Sequence, residues 1–305
     1  MDLVHRIKPK HLELLLRIAE TGQLQVAARD AAMSQPAASR ILANLENTLD
    51  AKLFERHPLG MELTPAGHVF VRHARVVLSE LRTLGDELQS LKTGALGNVR
   101  IGAVTGPAVG MLMPALQSIL QRYPDLNVSV DVAPSSELMR RLDETRYDFV
   151  IGRAPKGQEP HDYRLHPGRI EKVKLLVHET HPLAGATGTP LEVLHDYSWV
   201  MQDVGNPIRE AVEGAFISKG LDVPPRVLNS SSLLVGLAQV ANGDTIAPHS
   251  EEVVNLLLSE PIGAKLATIP IREPIIVAPY FVIQNRWRKL PRAVEMVLEE
   301  VLTRM

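Results

Sequence analysis

Apolar positions in the first third of the chain recur at helical spacing. Between Lys8 and Thr21, the residues Leu12, Leu15, Leu16 and Ala19 form one stripe, and Gly22 ends it. Leu24, Ala27, Ala28 and Ala31 form a second, shorter stripe, whose small side chains let helices approach closely. Met33 fills the turn. Ser34 then stands as an N-cap, with Pro36 in the first turn, where a missing N–H costs little. Beyond it Ala38, Ile41, Leu42, Leu45 and Leu49 point inward, while Gln35, Ser39, Arg40, Asn44 and Asn47 lie towards solvent. The period then changes. Lys52–Arg56 and Met61–Thr64 alternate like short strands around Pro58 and Gly60, and Thr64-Pro65 caps a new helix. A helical hairpin with a solvated face would explain the helices alone. The added strand pair and cap read as a winged helix-turn-helix over residues 1–64, which sets one helix in the major groove of double-stranded DNA.

Residues 65–93 carry a different rhythm. Phe70, Ala74, Val77, Leu81, Leu84, Leu88 and Leu91 alternate at spacings of four and three, a heptad seam. A helix of that length extends about 42 Å, too far for its own small domain to cover. The seam asks for a partner helix, and a second copy of the chain is the expected one. Packing against the chain's own C-terminal region is the alternative. Gly94 to Gly97 reads as a hinge.

From Asn98 onward strand and helix patterns alternate, which argues an α/β fold with largely parallel sheets. Strands are expected at Val99–Val104, Leu126–Val132, Phe149–Ile151, Val173–Val177, Trp199–Met201, Arg226–Leu228 and Thr245–Ala247. Helices are expected at Met111–Tyr123, Ser136–Thr145, Ile208–Lys219, Leu233–Ala241 and Arg292–Thr303. Two series imply two subdomains, one of residues 98–169 and 274–305, the other of residues 170–273. The chain would cross near Arg169 and return near Pro274, giving Ile275–Ile283 to the first. In such folds ligands bind beyond strand ends, where helix N-termini offer unpaired N–H groups. Thr105 and Gly106, Ser135 and Ser136, Gln202 and Asn206, and Asn229 and Ser230 meet this description, with Arg153 as a partner for an anion. Plain N-capping accounts for any single hydroxyl among them equally well.

Composition narrows the function. The chain has 305 residues, 45% hydrophobic and 22% charged, with no cysteine. Disulfides and thiolate chemistry are therefore excluded, and a reducing cytoplasm suits the chain. No apolar run reaches a membrane span, and no leader is expected at the N-terminus. A net charge of −2 means that any DNA contact rests on a few placed cations. Gly102, Gly106 and Gly110 lack dinucleotide-loop spacing, His178 and His181 are one residue short of a zinc-protease pair, and no serine sits in a G-x-S-x-G elbow. No catalytic residue, metal or cofactor is expected. A solute-binding module or an enzyme on the α/β unit are the competing readings.

The string Ala27-Ala28, Ser34-Gln35-Pro36-Ala37, Ser39-Arg40, Leu45-Glu46, Leu49, Leu53-Phe54-Glu55-Arg56 and Leu63-Thr64-Pro65-Ala66-Gly67 resembles the DNA-binding domain of LysR-type transcriptional regulators. Asp50 replaces the usual glycine after the recognition helix, and Gly60 a frequent basic residue of the wing. The C-terminal region is similar, more loosely, to the effector domain of that family, which resembles two-lobed periplasmic binding proteins. The resemblance implies a homodimer through the linker helix, assembly as a dimer of dimers, RNA polymerase as a partner, and a small-molecule effector. Gly102 to Ala108 resembles members tied to sugar uptake, the galactose-binding-protein regulator group, or to aromatic-acid catabolism, so a sugar or an organic or aromatic acid is expected. Ser34, Gln35, Pro36, Ser39 and Arg40 are the expected groove contacts, with Arg56 and His57 on the DNA backbone.

Overall fold

The structure, a computed structural model, describes residues 6–58, 60–93, 96–154, 162–241, 243–260 and 262–305. Helices α1 (Pro9–Thr21), α2 (Leu24–Asp30) and α3 (Gln35–Leu49) precede an antiparallel hairpin, β1 (Phe54–His57) and β2 (Gly60–Leu63), and the long helix α4 (Pro65–Thr93). The alanines serve as expected: Ala27, Ala28 and Ala38 are buried among Leu14, Leu15, Ile18, Leu42 and Leu45. Gly22 closes α1 in the left-handed region, with its N–H on the Ile18 carbonyl (2.9 Å). Asp50 closes α3 in the same way at φ 50°, a conformation that Asp tolerates better than most residues. The wing is tied back to the first turn: Met61 N–H donates to the Gly22 carbonyl at 2.7 Å. A Cβ on Gly60 would stand 2.5 Å from that same oxygen, so a basic side chain has no room there.

Along α4 the heptad row divides. Ala74 is buried against Leu12 of α1, and Phe70 packs beside it. Val77, Leu81, Leu84 and Leu88 are 48%, 48%, 52% and 51% exposed on the single chain. Leu91's side chain lies outside the described residues. The helix also touches its own C-terminal region, but through polar side chains: Arg72 to Asp162 (3.3 Å), Arg82 to Thr145 (3.5 Å) and Thr83 to Arg288 (3.4 Å). The leucine row is left open by these contacts.

The C-terminal region begins with β3 (Gly97–Ala103), the turn α5 (Thr105–Pro107), a π turn (Ala108–Leu112) and α6 (Met113–Arg122). There follow β4 (Leu126–Val132), α7 (Ser135–Asp143), β5 (Phe149–Gly152) and β6 (Tyr163–Pro167). The middle comprises β7 (Glu171–His178), α8 (Leu191–Leu194), β8 (Ser198–Met201), α9 (Pro207–Ser218), β9 (Val227–Asn229), α10 (Leu233–Val240), β10 (Thr245–Ser250), α11 (Glu251–Leu258), β11 (Leu266–Ile269) and β12 (Ile275–Val277). The chain ends with β13 (Phe281–Asn285) and α12 (Arg292–Leu302). One sheet has the order β4-β3-β5-β13-β6, and the other has β11-β7-β10-β8-β9 with β12 also on β7. Val99, Ile101, Phe149, Leu116, Val294 and Val297 fill one core, and Trp199, Phe216, Val212, Leu175 and Ile246 the other.

Four expectations need correction. The sheets are mixed: β13 and β7 run antiparallel to their neighbours. Ile275–Ile283 is two strands, because Ala278-Pro279 breaks the run; β12 joins the second sheet and β13 the first. The return crossing therefore follows Val277, not Pro274. The helix expected from Met111 begins at Thr105. Gly106 there is a close approach: a Cβ would clash with Glu171 Oε1 and stand 2.8 Å from Ser250 Oγ. Gly97 opens β3 instead of belonging to a hinge, and Gly94 and Ala95 lie outside the described residues.

Candidate nucleic-acid interface and ligand cleft

Ser34 accepts from Ala37 N–H (3.4 Å) and starts α3. Ser34, Gln35, Pro36 and Arg40 are exposed at its N-terminal end, and Ser39 is half-buried. Arg40 folds back so that its Nε donates to the Pro36 carbonyl (3.4 Å). In the wing, Arg56 and His57 are both exposed. His57 sits between two acids, 3.8 Å from Glu55 and 3.7 Å from Glu62, which face each other across the hairpin. Arg56 has no ion pair among the described residues.

What orients this surface is a residue that sequence reasoning passed over. Glu46 is buried on the inner side of α3. Its Oε1 accepts the N–H of Leu53 (2.9 Å) and of Phe54 (3.4 Å), and its Oε2 accepts the Lys52 ammonium (2.8 Å). One carboxylate thus fixes the recognition helix to the first strand of the wing. Burial pulls the Glu46 pKa up, but Lys52 and the two amides pull it down further, and the net shift is downward.

Between the two sheets opens a cleft of about 630 Å³. Thr105, Gly106, Ser135, Ser136 and Arg153 line one wall, and Gln202, Asn206 and Ser230 the other. Asn229 is not part of the lining; its amide oxygen accepts from Arg209 (2.5 Å) behind the wall. Two of the polar side chains are already engaged. Ser135 Oγ accepts the Arg153 N–H (3.0 Å), and the Asn206 side chain caps α9 through Ile208 N–H (3.0 Å). The hydroxyls of Thr105 and Ser136 make no hydrogen bond among the described residues.

Three ionisable lining residues were not among the expected site residues: Glu171, Asp203 and His249. Glu171 was legible in principle. It shares the inward parity of Val173, Leu175 and Val177 on β7, and a carboxylate in that register asks for a partner. The partner is Arg153, which donates through Nη2 to Glu171 Oε2 and through Nε to the Ala278 carbonyl (2.9 Å). The pair is nearly enclosed, with side chains 14% and 3% exposed. Burial raises the Glu171 pKa despite the pull of Arg153. His249 is also held uncharged by burial, its pKa pushed down to about 4.

A winged helix joined to a two-lobed cleft defines a DNA-binding regulator that senses a small molecule. Residues 9–68 match the bacterial regulatory helix-turn-helix proteins of the lysR family, and residues 92–305 match the LysR substrate binding domain. The chain is 37% identical to the HTH-type transcriptional regulator GbpR of Rhizobium radiobacter, over 82% of this chain and 83% of that protein. It is 34% identical to GbpR of Azospirillum brasilense over 93% and 83%. Among solved structures, full-length OxyR from Pseudomonas aeruginosa covers 97% of the chain and 95% of its own at a TM-score of 0.63 and 21% identity. Full-length CbnR complexed with its target DNA covers 98% and 100% at 0.57 and 23% identity. This chain belongs to the LysR family. It is a DNA-binding transcriptional regulator and not an enzyme, it carries a domain that binds small-molecule effectors, and it belongs to a family whose regulators oligomerise. No described helix is long and apolar enough to cross a membrane.

Proposed function

We propose that this regulator responds to a neutral sugar bound in the cleft between its two sheets. The observation that carries this reading is the charge of the cleft. Among the described residues its one lining cation, Arg153, is already bound by Glu171, and Asp203 adds a further negative charge, so their sum is −1. A carboxylate entering this space meets no uncommitted cation, whereas unpaired hydroxyls at Thr105 and Ser136 and the carboxylate of Asp203 suit sugar hydroxyls. The name GbpR of the two relatives, galactose-binding protein regulator, points the same way.

On DNA, Ser34, Gln35, Pro36, Ser39 and Arg40 read the groove, and Arg56 holds the backbone with His57 beside it. Glu55 and Glu62 leave His57 the weaker of the two wing contacts. The exposed row on α4 pairs two subunits, and a dimer of dimers on the promoter meets RNA polymerase in the cytoplasm. A sugar that prefers one arrangement of the domains shifts the assembly on DNA.

Two measurements test the reading. Arg40→Ala should weaken a gel shift on the DNA upstream of the chain's own coding sequence, and unchanged binding removes the recognition-helix assignment. Thr105→Val with Ser136→Ala should lower the response to D-galactose or a related neutral sugar in a thermal-shift screen of sugars and carboxylates. A wild-type protein stabilised by carboxylates alone sinks the sugar assignment.

A further inference from the structure

The second-sheet wall of the cleft holds two buried polar atoms without a partner among the described residues: Oε1 of Gln202 and Nε2 of His249. The fold makes them neighbours. Gln202 directly follows β8, His249 lies in β10, and the two strands pair in parallel. Gln202 Nε2 donates to the Pro248 carbonyl (3.0 Å), so the amide oxygen is the end left open. Beside the imidazole stands Gly236 of α10. A methyl group there would sit 3.7 Å from Nε2, an ordinary contact that would nonetheless cover the nitrogen. Buried polar groups of native proteins are satisfied in the large majority, so two orphans on one cavity wall mark a place that a ligand completes.

We propose that Gln202 and His249, reached past Gly236, form an inner subsite of the cleft that reads one ligand hydroxyl. The O–H donates to Gln202 Oε1, and the same oxygen partners His249 Nε2. A hydroxyl both donates and accepts: with its one proton on Gln202 Oε1, its oxygen accepts from the neutral imidazole in the Nε2–H tautomer. A carboxylate brings only acceptors and would oppose the amide oxygen. The inference rests on the neutral-sugar reading of the cleft and assigns which wall enforces it.

Full-length wild type, Gly236→Ala and His249→Leu are compared by thermal unfolding without ligand. Calorimetry follows with D-galactose, L-arabinose and D-glucose, and with D-galacturonate as the charged counterpart. Removing an orphaned nitrogen should raise the unliganded Tm of His249→Leu by about 2–4 °C. Gly236→Ala sits within a helix, where alanine is the better residue, and so retains the fold. Both variants should lose about tenfold in affinity for the neutral sugar that wild type binds, as expected for one impaired hydrogen bond. A Tm of His249→Leu at or below wild type, or undiminished sugar affinity in Gly236→Ala, overturns the subsite. If wild type binds none of the neutral sugars while His249→Leu still gains stability, the subsite stands and the sugar reading falls.

Discussion

On the proposed reading of the cleft, the Arg153–Glu171 pair decides what it accepts, and Glu171→Gln isolates its effect. Glutamine keeps the shape and one acceptor but removes the charge that neutralises Arg153. The guanidinium retains the Ala278 carbonyl and becomes an uncommitted cation on the cleft wall. The lining charge then rises from −1 to zero, because only Asp203 opposes Arg153. A ligand carboxylate that reaches the guanidinium gains a charge-assisted hydrogen bond, about 1.5–3 kcal/mol, or about 10- to 150-fold in affinity. The substitution has a cost. Removing one member of an enclosed pair typically destabilises by 3–5 kcal/mol, but Arg153 borders the open cleft, so about 2 kcal/mol is expected. The assay is calorimetry with D-galactose and D-galacturonate, which differ at one carbon. Wild type should prefer galactose, and Glu171→Gln should move the ratio at least tenfold towards galacturonate. An unmoved ratio, with the variant folded, would falsify the claim that this pair sets ligand charge.

Other consequences follow from the same geometry. Glu46→Ala leaves the N–H groups of Leu53 and Phe54 buried without an acceptor, and should cost the DNA-binding domain about 2–4 kcal/mol by denaturant titration; a loss under 0.5 kcal/mol contradicts its role. Because the folded-state pKa of Glu46 lies below the ordinary value of 4.5, its contribution is complete above that pH and drains away as pH falls through the lower folded value, so wild type and variant should converge in strong acid. Leu81→Glu with Leu88→Glu places charges on the exposed row of α4 and should shift sedimentation towards monomer with no loss of helix content; a persistent dimer places the pairing elsewhere. Thr83→Val cuts the contact from α4 to Arg288 and should reduce the factor by which ligand changes DNA affinity, with intrinsic ligand affinity held; an equal factor in the variant removes this contact from the coupling.

The DNA-binding half was readable because its signals are local. Ser34, Pro36, Gly22 and the alanine stripes act within one or two helical turns, and each does what its neighbours in sequence require. Glu46 escaped because its partners, Lys52, Leu53 and Phe54, lie six to eight residues on, past the end of its helix. The cleft was readable only in part for a related reason. Strand ends and helix starts announce Thr105, Ser136 and Asn206, but Arg153 and Glu171 lie on opposite sides of a domain crossing, and no period connects them. Gly106 is small because Glu171 and Ser250 approach it from the other subdomain, a constraint that exists only after the chain has crossed into that subdomain.

Strand β5 suggests how the two halves communicate. At its start, Asp148 is buried with Arg288 (2.8 Å), and Arg288 reaches Tyr147's carbonyl (3.3 Å) and Thr83 on α4. At its end, Arg153 holds Glu171 and Ala278, one residue from each of the two crossings between subdomains. A strand rises about 3.3 Å per residue, so roughly 17 Å of paired backbone separates the cleft cation from the linker anchor. Strand β5 is flanked by β3 and β13 and buried along its length, so it transmits displacement without bending. Rigidity alone does not switch a protein; a ligand must favour one of two arrangements. In the proposed mechanism the crossings supply that choice: Arg153 holds a residue beside each, so a ligand that alters its hold acts on both crossings and on β5 together. The coupling then requires reciprocity: whatever factor sugar imposes on operator affinity, operator DNA imposes on sugar affinity, and Thr83→Val must reduce both by the same amount.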